Sequence, residues 1–136
     1  MQVRDIMNKD VEYVTNATTL QEAAQKMLRL DVGELPVVIG NEVAGIVTDR
    51  DITVRGVAEG LDPMAADVVN VMTAGVIACR EGDDIQNVAI KMGAHKIRRM
   101  PVRDESNKMI GMVSLEDLSP ILDPDLLGDV LNQITP

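Results

Sequence analysis

Two stretches of this chain place a hydroxyl three residues ahead of a carboxylate: Gly45–Ile46–Val47–Thr48–Asp49–Arg50–Asp51 and Gly111–Met112–Val113–Ser114–Leu115–Glu116–Asp117. In each, a short apolar run precedes the hydroxyl and a charged stretch follows, which predicts a strand-to-helix junction. There the Thr48 or Ser114 hydroxyl sits near helix-terminal amides, a setting that favours phosphate oxygens. One turn on, Asp51 or Asp117 can accept both hydroxyls of a ribose. The leading glycine allows close backbone approach. This is hardware for a nucleotide, without a catalytic group. The same residues have a plainer reading, with Thr48 and Ser114 as ordinary N-caps and Asp51 and Asp117 as acids suited to the helix dipole.

The two motifs belong to a longer internal repeat. Met7 to Val38 lies on Met72 to Arg103 without a gap, and a one-residue slip in a turn brings the motifs together. Identical pairs include Met7/Met72, Lys26/Lys91, Pro36/Pro101, Gly45/Gly111 and Asp51/Asp117. Such a repeat identifies the folding unit. In the first copy, Val11–Thr15 reads as a short strand, with Thr18 or Thr19 capping a helix through Gln21 or Glu22. Leu20, Ala23, Ala24, Met27 and Leu28 follow at helical spacing. Leu35–Ile39, the turn Gly40–Asn41 and Val43–Thr48 read as a hairpin, and a second helix is expected from Asp49 through Glu59.

The second copy repeats this order: strand Gly75–Cys79, helix Asp84–Ala94, strands Met100–Arg103 and Met109–Ser114 about a turn Asp104–Asn107, then a short helix. Leu61–Asp67 reads as a linker. Asp123–Pro124 starts a last helix whose stripe of Leu126, Leu127, Val130, Leu131 and Ile134 must dock on its own body or on a partner. The expected division is residues 1–61, 62–122 and a helical tail, 123–136.

Composition bounds the function. The 136 residues carry a formal charge of −9, which argues against general binding of nucleic acid or an anionic membrane. Charge is unevenly spread: Lys96, Arg98, Arg99 and Arg103 cluster, and no basic residue follows Lys108. An anionic ligand would meet that cluster. Tyr13 is the only aromatic residue, so the core is aliphatic, with nine Met as filler. Cys79 is the only cysteine and reads as a small buried residue; His95 has no Cys or His partner at ligand spacing, so no metal site is expected. The first residues lack a signal-like apolar region and no apolar run nears the roughly 20 residues of a membrane span, so the expectation is a soluble cytoplasmic protein. No paired general acid and base, activated nucleophile or metal set points to an enzyme.

Val3–Arg4–Asp5–Ile6–Met7, Val32–Gly33–Glu34–Leu35–Pro36–Val37–Val38, Gly45 to Ile52, and Ile97–Arg98–Arg99–Met100–Pro101–Val102, in this order, resemble a tandem pair of cystathionine-β-synthase-type (CBS) domains of the stand-alone bacterial or archaeal kind. The similarity covers residues 3 to 119. It implies an α/β (α+β) fold of two β-α-β-β-α repeats packed as a pseudo-twofold pair, with two clefts that commonly bind adenosyl ligands. It implies ribose contacts from Asp51 and Asp117, phosphate contacts from Thr48, Ser114, Arg99 and the adjacent Arg98, and adenine flanked by Tyr13, Val14, Ile77 and Ala78. Glu34 stands where the second copy has Arg99 and would repel phosphate, so the two sites are expected to differ.

The resulting expectation is a regulatory module that senses AMP, ADP or ATP, with no obligatory cofactor. A homodimer would form through the faces of Ile52–Val57 and the last helix, and any regulated protein partner is unidentified. The alternatives are a scaffold pair that binds no nucleotide, or a sensor of SAM or NAD.

Overall fold

Thr19 starts the first helix in the computed structural model, which describes residues 1–135. Its hydroxyl accepts from Glu22 N at 3.2 Å, while the Glu22 carboxylate accepts from Thr19 N at 3.1 Å, so two backbone amides are satisfied reciprocally. The helix, α1, spans Leu20–Leu30 and buries Leu20, Ala23 and Met27. It ends at Asp31, whose left-handed φ of 54° turns the chain towards the sheet.

Before α1, β1 (Val14–Thr15) pairs parallel with β2 (Glu34–Ile39); β2 turns through Gly40 and Asn41, both with positive φ, into antiparallel β3 (Glu42–Thr48). Positive φ at both turn positions matches the right-handed twist of a tight hairpin. Helix α2 begins at Asp49–Asp51, as expected, but continues as a π-helical segment, Ile52–Val57, and does not remain α-helical to Glu59. Gly56 lies on the inner side, where a Cβ would come 2.8 Å from Leu20 Cδ1, so the segment packs closely on α1.

Residues 61–67, the expected linker, are tied to α1. The Ala66 and Pro63 carbonyls accept from Leu20 N and Gln21 N, each at 3.0 Å, and so satisfy first-turn amides of α1 that have no partner within the helix. The expected strand Gly75–Cys79 is replaced. β4 is Thr73–Ala74, β5 is Cys79–Arg80, and Gly75, with φ of 84°, breaks the extended run between them. β4 completes a sheet of order β1-β2-β3-β4.

In the second copy α3 is Ile85–His95, capped by Asp84, and β6 (Arg99–Arg103) and β7 (Met109–Ser114) form the hairpin of a sheet ordered β5-β6-β7. α4, Leu115–Leu118, follows. α5, Pro124–Ile134, is capped by Asp123 and docks on α3 of its own unit, so its stripe is not a free face awaiting a partner: Val130 is buried, and Gly93 of α3 lies against Gln133 and Val130.

The two compact units do not follow chain order. One holds residues 1–11 with the chain from Ile77 onward, and the other holds Glu12–Val76. Each therefore contains the helix and hairpin of one repeat and the leading segment of the other. In the first of these units the leading segment is held beside β7 by a single antiparallel bridge: Asn8 N donates to Met112 O at 2.8 Å and Met112 N to Asn8 O at 2.9 Å. β4 takes the equivalent place beside β3. Each unit has its own aliphatic core, one around Leu20, Val37 and Val47, the other around Met92, Met100 and Leu118.

Glycine is required where the leading segments cross. A Cβ on Gly45 would lie 2.5 Å from Thr73 O and 3.0 Å from Met72 Sδ; on Gly111 it would lie 2.9 Å from Met7 Sδ and 3.0 Å from Asn8 O. Gly45→Ala and Gly111→Ala should each destabilise by about 1–3 kcal/mol, Gly45 more because backbone is in the way. Gly128→Ala, in α5 with open space around it, should instead stabilise by up to about 1 kcal/mol. Thermal and urea melts of the three variants check the order.

Candidate functional site

Strand register brings the first two site residues together. In the β6–β7 hairpin Arg99 stands directly opposite Ser114. Ser114 is the last strand residue and the N-cap of α4, so Asp117 follows within one turn. Its Oδ2 accepts from Ser114 N at 3.1 Å, and Ser114 Oγ accepts from Asp117 N at 3.1 Å. This reciprocal cap fixes both side chains and leaves Asp117 Oδ1 outside the cap. Asn8 is added by the leading segment, through its bonds to Met112. Asn8, Arg99, Met112, Val113, Ser114, Glu116 and Asp117 line one cleft of about 240 Å³ within this unit. The second-copy Asp and Arg expected to bind a ligand thus share a cleft.

The other unit repeats the cap with different surroundings. Thr48 N donates to Asp51 Oδ2 and Asp51 N to Thr48 Oγ1, both at 3.0 Å. Glu34 occupies the place opposite Thr48, and Arg55 Nε approaches Asp51 Oδ1 at 3.9 Å from the next turn. The carboxylate oxygen outside this cap therefore already faces a cation.

The plainer reading of these residues as caps holds for one oxygen of each Asp and for both hydroxyls as acceptors. The amides expected to face phosphate are largely engaged. Leu115 N donates to Arg98 O at 2.8 Å, and Asp117 N to Ser114 Oγ; in the other unit Asp49 N donates to Gly33 O, Arg50 N to Asp49 Oδ1 and Asp51 N to Thr48 Oγ1.

Arg98 is exposed and absent from the lining of the 240 Å³ cleft, where its neighbour Arg99 stands. Ile77 and Ala78 are half-buried and also outside that lining. Val14 belongs to the other unit and its side chain is in the core, so only its backbone is open to a ligand; Tyr13, beside it, is 44% exposed. Sequence reasoning missed Asn8, Met112, Val113 and Glu116 as lining residues. It also missed what the repeated Lys26/Lys91 pair does. Lys26 Nζ donates to Tyr13 O and Lys91 Nζ to Ala78 O, each at 2.7 Å, so each lysine ties its helix to the segment entering the first strand of its sheet. Lys26 also pairs with Glu12 at 2.9 Å, which holds that carboxyl below its ordinary range. The signal for both was their identity in the two copies.

Cys79 lies in the core with its thiol 3.7 Å from Pro101 O. Burial, reinforced by Asp83, pushes the thiol up to about 12 from its ordinary 9.0. Among the described residues no cluster of His, Cys, Asp and Glu could hold a metal ion, and no helix is long and apolar enough to cross a membrane.

The family model for the CBS domain matches residues 3–56 and 65–123. YlbB of Bacillus subtilis is 37% identical over 119 residues, covering 86% of this chain and 79% of YlbB. Hypoxic response protein 1 of Mycobacterium tuberculosis is 36% identical over 117 residues, 85% of this chain and 81% of that one. A crystal structure of hypoxic response protein I with two coordinated zinc ions covers 90% of this chain and 100% of its own, at a TM-score of 0.80 and 35% identity. The CBS domain pair of protein MJ0100, in complex with 5′-methylthioadenosine and S-adenosyl-L-methionine, covers 89% and 94% at a TM-score of 0.74 and 29% identity.

The raised thiol pKa predicts both reactivity and pH response. The folded thiol stays protonated where an unfolded one ionises, so its stabilising effect is complete below pH 9 and is lost as pH rises from 9 towards 12. Native protein at pH 8 should react with a thiol reagent at least tenfold more slowly than protein in guanidinium. Cys79→Ala should flatten the alkaline fall in urea stability.

Proposed function

The chain belongs to the CBS-domain family, and from that premise we propose that it is a regulatory, non-catalytic module that binds an adenosyl ligand in the cleft of Asn8, Arg99, Ser114 and Asp117. The observation that carries this reading is the convergence of a guanidinium, a hydroxyl and a carboxylate in one cleft, all three from one repeat. Asp117 Oδ1 accepts from ribose hydroxyls, and the Ser114 hydroxyl, whose proton is free to donate while its oxygen accepts in the cap, meets an acceptor on the ligand with Arg99. The binding of adenosyl compounds by the CBS pair of MJ0100, which is similar over nearly its whole length, supports the ligand class.

The second motif, with Glu34 beside it and Asp51 paired to Arg55, is a poor site for an anion. Regulation follows from a ligand that binds one conformation of α4 better than another. The inner face of α4, Leu115 and Leu118, lies in the same core as Val130 of α5, so a shift of α4 is felt by the last helix. With Ile52 buried and α5 docked on α3, Val54, Val57 and Leu131, at 45%, 58% and 36% exposure, are the apolar positions open on these two faces for pairing with a second copy.

Calorimetric titration with AMP, ADP, ATP, NAD, S-adenosyl-L-methionine and 5′-methylthioadenosine should give micromolar binding of at least one. Arg99→Ala should weaken binding and Asp117→Ala should weaken it by tenfold or more, whereas Asp51→Ala should leave it nearly unchanged. Loss of the cap costs Asp117→Ala about 1 kcal/mol of stability, so a melt must first show the variant folded at the titration temperature. Protein that is folded, free of co-purified nucleotide and silent to every ligand would replace this reading with that of a scaffold pair.

A further inference from the structure

We infer that Glu116 makes the cleft a charge filter, selecting adenosyl ligands of little or no negative charge over nucleoside di- and triphosphates. The inference rests on the adenosyl-ligand reading of the same cleft and names the class of ligand it takes.

Three observations carry it. First, the lining holds two carboxylates, Glu116 and Asp117, against one guanidinium, Arg99. Asp117 is committed in part to the Ser114 cap, but the Glu116 side chain takes no part in it, and only its backbone carbonyl is used, by Ser119 Oγ at 3.1 Å. Glu116 is exposed and lines the cleft. Second, two of the three first-turn backbone donors at this junction are occupied, Leu115 N by Arg98 O and Asp117 N by Ser114 Oγ, which leaves Glu116 N, fewer than a polyphosphate needs. The other donor-bearing side chains of the lining are Asn8, Ser114 and Arg99. Asn8 Oδ1 accepts from Asp10 N at 3.0 Å, which turns its NH₂ into the neutral donor of the set. Third, the cleft of about 240 Å³ is smaller than the roughly 300–1,000 Å³ usual for ligand pockets. A long phosphate tail must leave it and cross a chain of net charge −9.

The charge pattern is specific to this copy of the motif. Where the cleft has Arg99 on the strand and Glu116 on the helix, the other copy has Glu34 and Arg50, with both signs exchanged. Each added phosphate brings one to two negative charges. Like charges a few ångströms apart near a protein surface change a binding constant several-fold. A neutral thioether nucleoside or a sulfonium nucleoside escapes that cost, a monophosphate bears part of it through Arg99, and a triphosphate bears most.

The test is calorimetry on the full chain without divalent cations, at low and high salt, with 5′-methylthioadenosine, S-adenosyl-L-methionine, AMP and ATP, on wild type and on Glu116→Gln. The expected order is the two sulfur nucleosides tightest, AMP between, and ATP at least about tenfold weaker, a gap that narrows in high salt. Glu116→Gln should tighten ATP by about fivefold or more and leave 5′-methylthioadenosine within twofold. Since Glu116 is exposed and outside the cap, the variant should melt with wild type. ATP binding as tightly as 5′-methylthioadenosine would overturn the filter while leaving the adenosyl reading intact. A preference that persists unchanged in Glu116→Gln would overturn the role of Glu116. Failure of every adenosyl ligand would remove both the filter and the reading beneath it.

Discussion

Residue 111 has little room for a methyl group, and the candidate site depends on that close approach. Met7 and Asn8 cross at this point so closely that a Cβ would lie 2.9 Å from the Met7 sulfur and 3.0 Å from the Asn8 carbonyl oxygen. The close approach lets Asn8 and Met112 exchange backbone hydrogen bonds and sets Asn8 beside the strand end that carries Ser114. Gly45 does the same for Met72 and Thr73. A single missing side chain in each unit thus decides both how a leading segment is held and what walls the strand-to-helix junction. Backbone pairing at this distance leaves little freedom, so the position of Asn8 is set by the strands.

The junction then does two jobs with one pair of residues. A strand that ends in a helix leaves amides without partners, and the Ser114–Asp117 and Thr48–Asp51 caps satisfy them. The same cap holds the carboxylate by one oxygen and leaves the second outside the cap. What the second oxygen meets differs between units: Arg55 stands near it in one, while in the other a hydrophobic residue, Ile121, occupies the matching position. Duplicated geometry with exchanged charge turns one motif into an internally paired cap and the other into a cleft wall.

Much of the secondary structure was legible because its causes are local. Thr19 with Glu22, Asp84, and Asp123 followed by Pro124 each announce a helix by capping chemistry that acts within four residues. Gly40–Asn41 announces a hairpin by the positive φ that both tolerate. The rest was long-range. Residues 61–67 read as a linker from their local turn chemistry, but that their carbonyls are taken by α1 amides more than forty residues back in the chain was not legible. No helical periodicity encodes the π-helical turn at Ile52–Val57, in which Gly56 packs on Leu20. Lys91 was visible as a repeated residue, yet its bond to the Ala78 carbonyl depends on how α3 lies against the chain entering β5.

The sequence by itself determined the repeat, the hairpins, the caps and the presence of a hydroxyl–carboxylate pair at each junction, since all of these rest on contacts between residues close along the chain. It also determined that the two junctions differ in charge, because Glu34 and Arg99 sit at matching places. Only the tertiary structure decided that Arg99, Ser114 and Asp117 of the same copy share a cleft, that Asn8 of the other repeat's leading segment joins them, and that the α5 stripe is spent on α3. The reason is physical. Strand register and the crossing of a leading segment are fixed by backbone hydrogen bonds and by excluded volume between residues far apart in sequence, and neither leaves a periodic trace in the residues that obey it.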